Sequence, residues 1–132
     1  MIFTVVLYYC FSPECHNYYS LNSGNRKITF ITNHVSCDRT MTHGWYRFKG
    51  AAGKRMPSSC PPQKRCGTNA PGWLKGGHPN VAAGRVSRKV CFSRMGECCR
   101  FSTYIQVRNC GSFYVYYLTG SPYCTLRICG SD

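Results

Sequence analysis

Cysteine thiols are the side chains with the greatest capacity for chemistry in this sequence, which has eleven of them in 132 residues. Ten lie between Cys15 and Cys129 at irregular intervals, rather than in the close pairs that a zinc module needs. This density predicts five disulfides and secretion into an oxidising compartment. The adjacent residues Cys98 and Cys99 are not expected to pair with each other, but spacing alone leaves the connectivity open.

Groups suited to enzymatic catalysis are scarce. The only acidic residues are Glu14, Asp38, Glu97 and Asp132, whereas a glycosidase needs two carboxyl groups that face each other. The histidines form no HExxH pattern, and no GxSxG nucleophile elbow is present. The sequence therefore predicts a protein that is not an enzyme, with no catalytic residue, no cofactor and no metal.

The chain is strongly basic, with 17 Lys and Arg against 4 Asp and Glu and a net charge of +13. Between Arg47 and Arg100 there are twelve basic residues and one acid, Glu97. This distribution predicts a positive surface that attracts sulfated glycans or anionic lipid, with a merely solvated face as the alternative. The basic residues lack the interleaved aromatics of single-stranded nucleic-acid binders, so no nucleic-acid partner is expected.

Residues 1–12 form an opening segment distinct from the remainder, and residues 13–132 are expected to form one domain. The apolar run MIFTVVLYYCFS has the core of a signal peptide without its basic start or small-residue cleavage pattern. A signal remnant, a first β-strand and an incomplete gene model are the three interpretations. No stretch reaches the roughly 20 apolar residues of a membrane helix, so no transmembrane segment is predicted. Cys10 lies in this segment, apart from the other cysteines.

The apolar pattern favours a small, disulfide-rich, mainly antiparallel β fold with long Pro/Gly loops and little helix. Residues 44–48 (GWYRF) and 85–92 (RVSRKVCF) are predicted strands. Residues 103–109 and 113–118 alternate around a short glycine-containing connection and predict a β-hairpin, whose second arm is apolar on both faces and therefore central. Trp45 is expected in the core.

Residues 57–84 are predicted to be one long loop, because five prolines and five glycines should prevent a regular ladder. Such loops commonly carry recognition surfaces. In this loop, Trp73 could stack on a sugar ring while nearby cations hold an anionic group. The alternative for Trp73 is packing in the core, and the alternative for His78 is a structural role. The candidate ligand-binding residues are Trp73, Lys75, His78, Arg85, Arg88 and Lys89.

Several motifs together resemble the uromodulin-type cysteine-rich domain. They are GWYRFKGAAGKRMPSSC, RCGTNAPGWLKGGHP, GRVSRKVCF, ECCRF and FYVYYLTGSPYCTLRICG. The resemblance covers Cys15 to Cys129 and includes all ten domain cysteines. It implies five disulfides, which join Cys15 to Cys110, Cys37 to Cys124, Cys60 to Cys98, Cys66 to Cys129, and Cys91 to Cys99.

The resemblance also implies a role in presenting or recognising glycans on epithelial surfaces, where a high-mannose sugar on the domain acts as a decoy for bacterial adhesins. This sequence departs from that role. In uromodulin-type domains the asparagine that carries the glycan lies in the loop after a Trp-Leu pair. Here Trp73 and Leu74 are followed by Lys75, Gly76 and Gly77. No asparagine stands two residues before Ser or Thr, so N-glycosylation is excluded.

These observations predict a secreted, extracellular recognition module in mucosal or matrix defence. Its partner is expected to be an extracellular glycan or an anionic surface partner such as a protein. Two alternatives remain. One is a purely structural spacer in a longer mosaic protein with further modules. The other is a cationic host-defence protein that acts on anionic membranes.

Overall fold

A computed structural model describes residues 12–132, so the interpretations of the opening segment and of Cys10 lie outside the described residues. The described part is mostly β-sheet, and its only helical pieces are single turns of 3-10 helix, so the predicted disulfide-rich β fold class is confirmed. The strands are β1 (Tyr19–Leu21), β2 (Gly44–Phe48), β3 (Ala70–Lys75), β4 (Arg85–Arg94), β5 (Glu97–Asn109), β6 (Tyr114–Leu118) and β7 (Leu126–Ile128). The turns are Pro13–Cys15, Gly24–Arg26, Gly50–Ala52 and Val81–Ala83.

All seven strands form one sheet in the order β1-β2-β6-β5-β4-β3-β7. The four interior pairings are antiparallel, whereas β1 runs parallel to β2 and β7 runs parallel to β3. The predicted hairpin of β5 and β6 is confirmed, and β6 lies between β2 and β5 as expected of a central strand.

Strands β4 and β5 form a hairpin that the sequence did not predict, and both are longer than the strands expected at 85–92 and 103–109. Its strands continue to Arg94 and restart at Glu97, so only Met95 and Gly96 form the connection. Both residues have positive φ, 54° and 79°, as a type I′ turn requires. Residues 93–102, which lie outside the predicted strands, therefore complete the longest ladder of the sheet around this two-residue turn.

The expectation that residues 57–84 lack a ladder is wrong, because β3 lies within them. Pro71 is tolerated near the start of β3, where it is paired only with the short β7, and the pairing with β4 begins at Gly72. A Cβ at Gly72 would lie 2.9 Å from the Phe92 ring, so only glycine lets that ring pack directly on the strand.

One face of the sheet carries the core. Large buried side chains alternate along the strands, as the period-2 pattern of a half-buried strand requires. They include Phe48, Leu74, Val90, Phe92, Val107, Tyr116, Leu118 and Leu126.

Five disulfides hold the irregular segments to this sheet. They join the same partners that the family resemblance implied: Cys15–Cys110, Cys37–Cys124, Cys60–Cys98, Cys66–Cys129 and Cys91–Cys99. The adjacent cysteines thus have different partners: Cys98 is bonded to Cys60 in the loop before β3, and Cys99 is bonded to Cys91 on β4. The first bond spans 95 residues and the last only 8, so the bonds differ greatly in how much they restrict the unfolded chain.

Candidate ligand-binding face of the sheet

The side of the sheet away from the core presents ordered rows of side chains. Residues that are directly opposite on adjacent strands share a face, so the register defines these rows. One row runs Lys75, Lys89, Tyr104, and the next runs Ser87, Gln106, Tyr117, Trp45. We call these seven residues, together with Trp73 in the preceding row, the outward face.

Two lysines oppose each other on this face. Lys75 on β3 is directly opposite Lys89 on β4, so their Cβ atoms lie about 5 Å apart. Neither ammonium group forms an ion pair with a carboxylate of residues 12–132. Like charges that are directly opposed destabilise a sheet. The pair is therefore a local concentration of positive charge that the described part of the chain does not neutralise.

Exposed aromatic rings lie beside the lysines. Tyr104, opposite Lys89, has 70% of its surface exposed, and Tyr117 in the next row has 38% exposed. Tyr117 contacts Trp45 edge to face, with ring centroids 5.5 Å apart. A cleft of about 200 Å³ lies between the two tyrosines and is also lined by Ser87 and Gln106. Flat rings beside cations and hydrogen-bonding side chains are suited to a sugar that carries a negative charge.

Trp73 lies on this face as well, on β3 and not in a loop as the sequence indicated. It is half-buried, and its Nε1–H donates to the Cys98 carbonyl at 2.8 Å. Trp45, which was expected in the core, is also half-buried and faces outward, because the alternation along β2 directs Tyr46 and Phe48 to the core instead.

Arg85 faces the same side but is engaged by a carboxylate. Its Nε and Nη2 donate to the two oxygens of Glu14 at 2.6 and 2.9 Å, and Arg108 Nη1 lies 3.3 Å from Glu14. Glu14 is buried in the Pro13–Cys15 turn, which packs over this end of the sheet. The hydrogen bond from Arg85, which outweighs the opposing effect of burial, lowers the pKa of Glu14 to about 2. Arg85 therefore serves as an anchor for this turn.

The other two candidates are not on the outward face. Arg88 is opposite Ile105 and so projects to the core side, where its Nε donates to the Gly77 carbonyl at 3.0 Å. His78 packs against Tyr114 with ring centroids 4.3 Å apart. Burial, with a smaller contribution from the charges of Arg55 and Arg88, lowers the pKa of His78 to about 4. The structure thus brings together Trp73, Lys75, Lys89 and Arg85, and separates His78 and Arg88 from them.

His78 connects a serine to a buried tyrosine, which superficially resembles a nucleophile and its base. Tyr116 Oη accepts from the Met56 N–H at 3.0 Å and lies 2.7 Å from His78 Nε2. We assign the ring tautomer from this network: Tyr116 donates to Nε2, so the proton is on Nδ1, which donates to Ser58 Oγ at 3.1 Å. In this tautomer Nδ1 is a donor to Ser58, so it is not placed to accept the Ser58 proton, and the network connects Ser58, His78 and Tyr116.

The carboxylates of the described residues are likewise committed to ion pairs. Glu14 and Asp38 are buried against arginines, Glu97 lies 3.4 Å from Arg100, and Asp132 lies 2.7 Å from Lys27. No cluster of three or more His, Cys, Asp or Glu is placed to hold a metal ion between residues 12 and 132. In the same part of the chain, no helix has the length and apolar character needed to cross a membrane.

Sequence reasoning missed Tyr104, Gln106, Tyr117 and Trp45 as members of a candidate site. The signal was present in the alternation of TYIQVRN, which places Tyr104 and Gln106 on the wet side of β5. What the sequence did not provide was the register, which brings these residues beside Lys89.

The described residues thus form a disulfide-bonded, cysteine-rich β domain built on one sheet. The uromodulin-like domain family matches residues 46–130, and the chain belongs to this family, which confirms the resemblance seen in the motifs.

Among curated proteins, the chain is similar to the pancreatic secretory granule membrane major glycoprotein GP2 of Canis lupus familiaris. The two are 46% identical over 116 residues, which cover 87% of this chain and 23% of the relative. Uromodulin of Mus musculus is 46% identical over 121 residues, which cover 91% of this chain and 18% of the relative. GP2 of Homo sapiens is 40% identical over 121 residues, or 91% and 22% of the two chains. The chain therefore spans about a fifth of the length of these relatives.

Proposed function

We propose that the protein is a secreted, non-enzymatic recognition module that binds anionic glycans through its outward face. Five disulfides support an oxidising compartment, and the dog relative is named as a glycoprotein of the secretory granule membrane. The commitment of the acids to ion pairs and the tautomer of His78 support a role other than catalysis.

The observation that carries this proposal is the opposed pair Lys75 and Lys89 beside exposed Tyr104. Two unneutralised like charges lower the stability of the sheet, and a bound sulfate or carboxylate between them would remove that repulsion. Tyr104 offers a flat apolar surface to the adjoining sugar ring. Charge provides the attraction and the aromatic ring provides the orientation, so the ligand class is a sulfated or carboxylated glycan.

A glycan array that includes sulfated, carboxylated and mannose-type glycans tests the proposal on the oxidised protein at low and high salt. We expect binding to anionic glycans that weakens with salt and is lost in the double variant Lys75→Glu/Lys89→Glu. The matched control is Arg39→Glu/Lys64→Glu, which changes the net charge equally at two exposed residues with no ion pair within residues 12–132.

The control should retain binding. Equal loss in both double variants would show that net charge alone drives association, and binding to no glycan at any salt would favour a spacer within a longer protein.

A further inference from the structure

A second cavity, lined by basic residues, lies at the end of β2. Its volume is about 250 Å³, and its lining includes Arg47, Lys49, Lys54, Ser112 and Phe113. Arg47 projects to the same side of β2 as Trp45 and lies about 7 Å from it along the strand, whereas Lys49 is about 13 Å from Trp45. It brings the end of β2, the Gly50–Ala52 turn and the β5–β6 connection together.

Arg47 is held rigidly at the wall of this cavity. Its guanidinium carbon lies 3.8 Å from the centre of the Phe113 ring, and its Nη1 donates to Tyr18 Oη at 2.8 Å. Its Nε is buried and has no hydrogen-bond partner. No carboxylate within residues 12–132 pairs with Arg47, so the guanidinium is a fixed and uncompensated positive charge.

The two lysines extend this charge over the mouth of the cavity. Lys49 and Lys54 are exposed, and neither forms an ion pair in the part of the chain that the structure describes. The charge of Lys54 contributes to lowering the pKa of Asp132, but the Asp132 carboxylate is paired with Lys27 at 2.7 Å. Three cations therefore border one cavity whose lining contains no acid.

We propose that this cavity binds an anionic sugar, held by its sulfate or carboxylate between Arg47, Lys49 and Lys54. The fixed guanidinium loses little conformational entropy on binding, and the lysines close over the anionic oxygens. The Ser112 hydroxyl and the Phe113 ring supply a hydrogen-bonding group and an apolar surface for the sugar itself. Arg47, Lys49 and Lys54 are not members of the outward face, so the two proposals are tested by different variants.

The test is a titration of the isotope-labelled, oxidised protein with galactose 6-sulfate, glucuronate and galactose, followed by amide and arginine Nε–H resonances. We expect saturable shifts at Arg47, Lys49 and Ser112 with at least one anionic sugar and none with galactose. The two anionic arms identify whether sulfate or carboxylate is preferred.

Lys49→Glu/Lys54→Glu should raise the dissociation constant about tenfold or more, because two attractive charges become repulsive. The control Arg39→Glu/Lys64→Glu and the face variant Lys75→Glu/Lys89→Glu should each leave it within about twofold. Because Lys49 and Lys54 are exposed, their replacement should not disturb the fold. A native amide spectrum checks that each variant is folded. Equal shifts with galactose, unchanged affinity in Lys49→Glu/Lys54→Glu, or no shift with either anionic sugar would overturn the proposal.

Discussion

Arg26 and Asp38 form a two-point ion pair in the interior of the protein, with their Nη1–Oδ2 and Nη2–Oδ1 atoms 2.8 and 2.9 Å apart. Asp38 Oδ2 also accepts from the Ile128 N–H at 2.7 Å, and Arg127 Nε lies 3.8 Å from Oδ1. Burial and the nearby Arg26 lower the pKa of Arg127. Asp38 is therefore the counter-charge of Arg26, lies close to the guanidinium of Arg127, and fixes the long segment before β2 to the edge strand β7.

Asp38→Asn should destabilise the oxidised protein by about 3 to 5 kcal/mol, because it preserves size but leaves Arg26 and Arg127 buried without a counter-charge. The measurement is urea unfolding followed by tryptophan fluorescence. Asp132→Asn is the control, since it removes a fully exposed carboxylate and should leave the midpoint unchanged. A midpoint for Asp38→Asn equal to that of the unaltered protein would refute the buried network.

Glu14 should make the protein sensitive to strong acid. Its pKa falls from 4.5 to about 2 on folding, so the unfolded chain binds the proton more readily between these values. Stability is fully present above about pH 4.5 and is lost as the pH falls towards 2, by up to about 3 kcal/mol. Glu14→Gln should lack this contribution, so its stability should vary less with pH over that range. If thermal unfolding of Glu14→Gln and of the unaltered protein varies with pH in the same way, Glu14 is not paired in solution.

His78 should produce a separate pH dependence at milder acidity. Its pKa is lowered from the ordinary value of 6.5 to about 4 in the folded protein, so the unfolded state binds more protons between these values. Stability should therefore fall as the pH drops from 6.5 to 4, by about 2 to 3 kcal/mol. His78→Gln removes the titrating ring and should flatten this part of the profile. A slope that persists in His78→Gln would assign it to other groups.

The disulfides should differ in their contribution to stability. In the loop-entropy description, the bond that closes the 95-residue separation between Cys15 and Cys110 contributes about 2 kcal/mol more than the 8-residue Cys91–Cys99 bond. Paired Cys→Ser replacements of each bond should show this order in denaturant midpoints. Peptide mapping without reduction checks the five partners directly, and any exchanged pair would contradict the structure.

The strands that the sequence revealed are short segments rich in β-branched and aromatic residues. The segments predicted at 44–48, 85–92, 103–109 and 113–118 overlap β2, β4, β5 and β6, although β5 begins already at Glu97 and Trp45 faces away from the core. Strand β3 was hidden because Pro71 and Gly72 are the ordinary signals of a loop. They fit a strand here only because β7 and the Phe92 ring lie against them, and those contacts connect residues far apart in sequence.

The candidate site was accessible from the sequence only in part. Composition showed that cations were in excess, and Lys75 and Lys89, both candidates from the sequence, lie on one face. Their direct opposition, and the position of Tyr104 next to them, depend on the register between β3, β4 and β5. Arg88 illustrates the limit, because it is adjacent to Lys89 in sequence and projects to the other side of the sheet.

The measurement that tests the central claim most directly is a titration of the oxidised protein with a sulfated disaccharide, followed by the ring-proton resonances of its tyrosines. If the outward face binds anionic glycans, Tyr104 and Tyr117 should shift progressively to saturation, while the fully buried Tyr116 stays unchanged. The Lys75→Glu/Lys89→Glu variant should show none of these shifts. Saturable binding that leaves Tyr104 and Tyr117 unaltered would contradict the assignment of the ligand to this face.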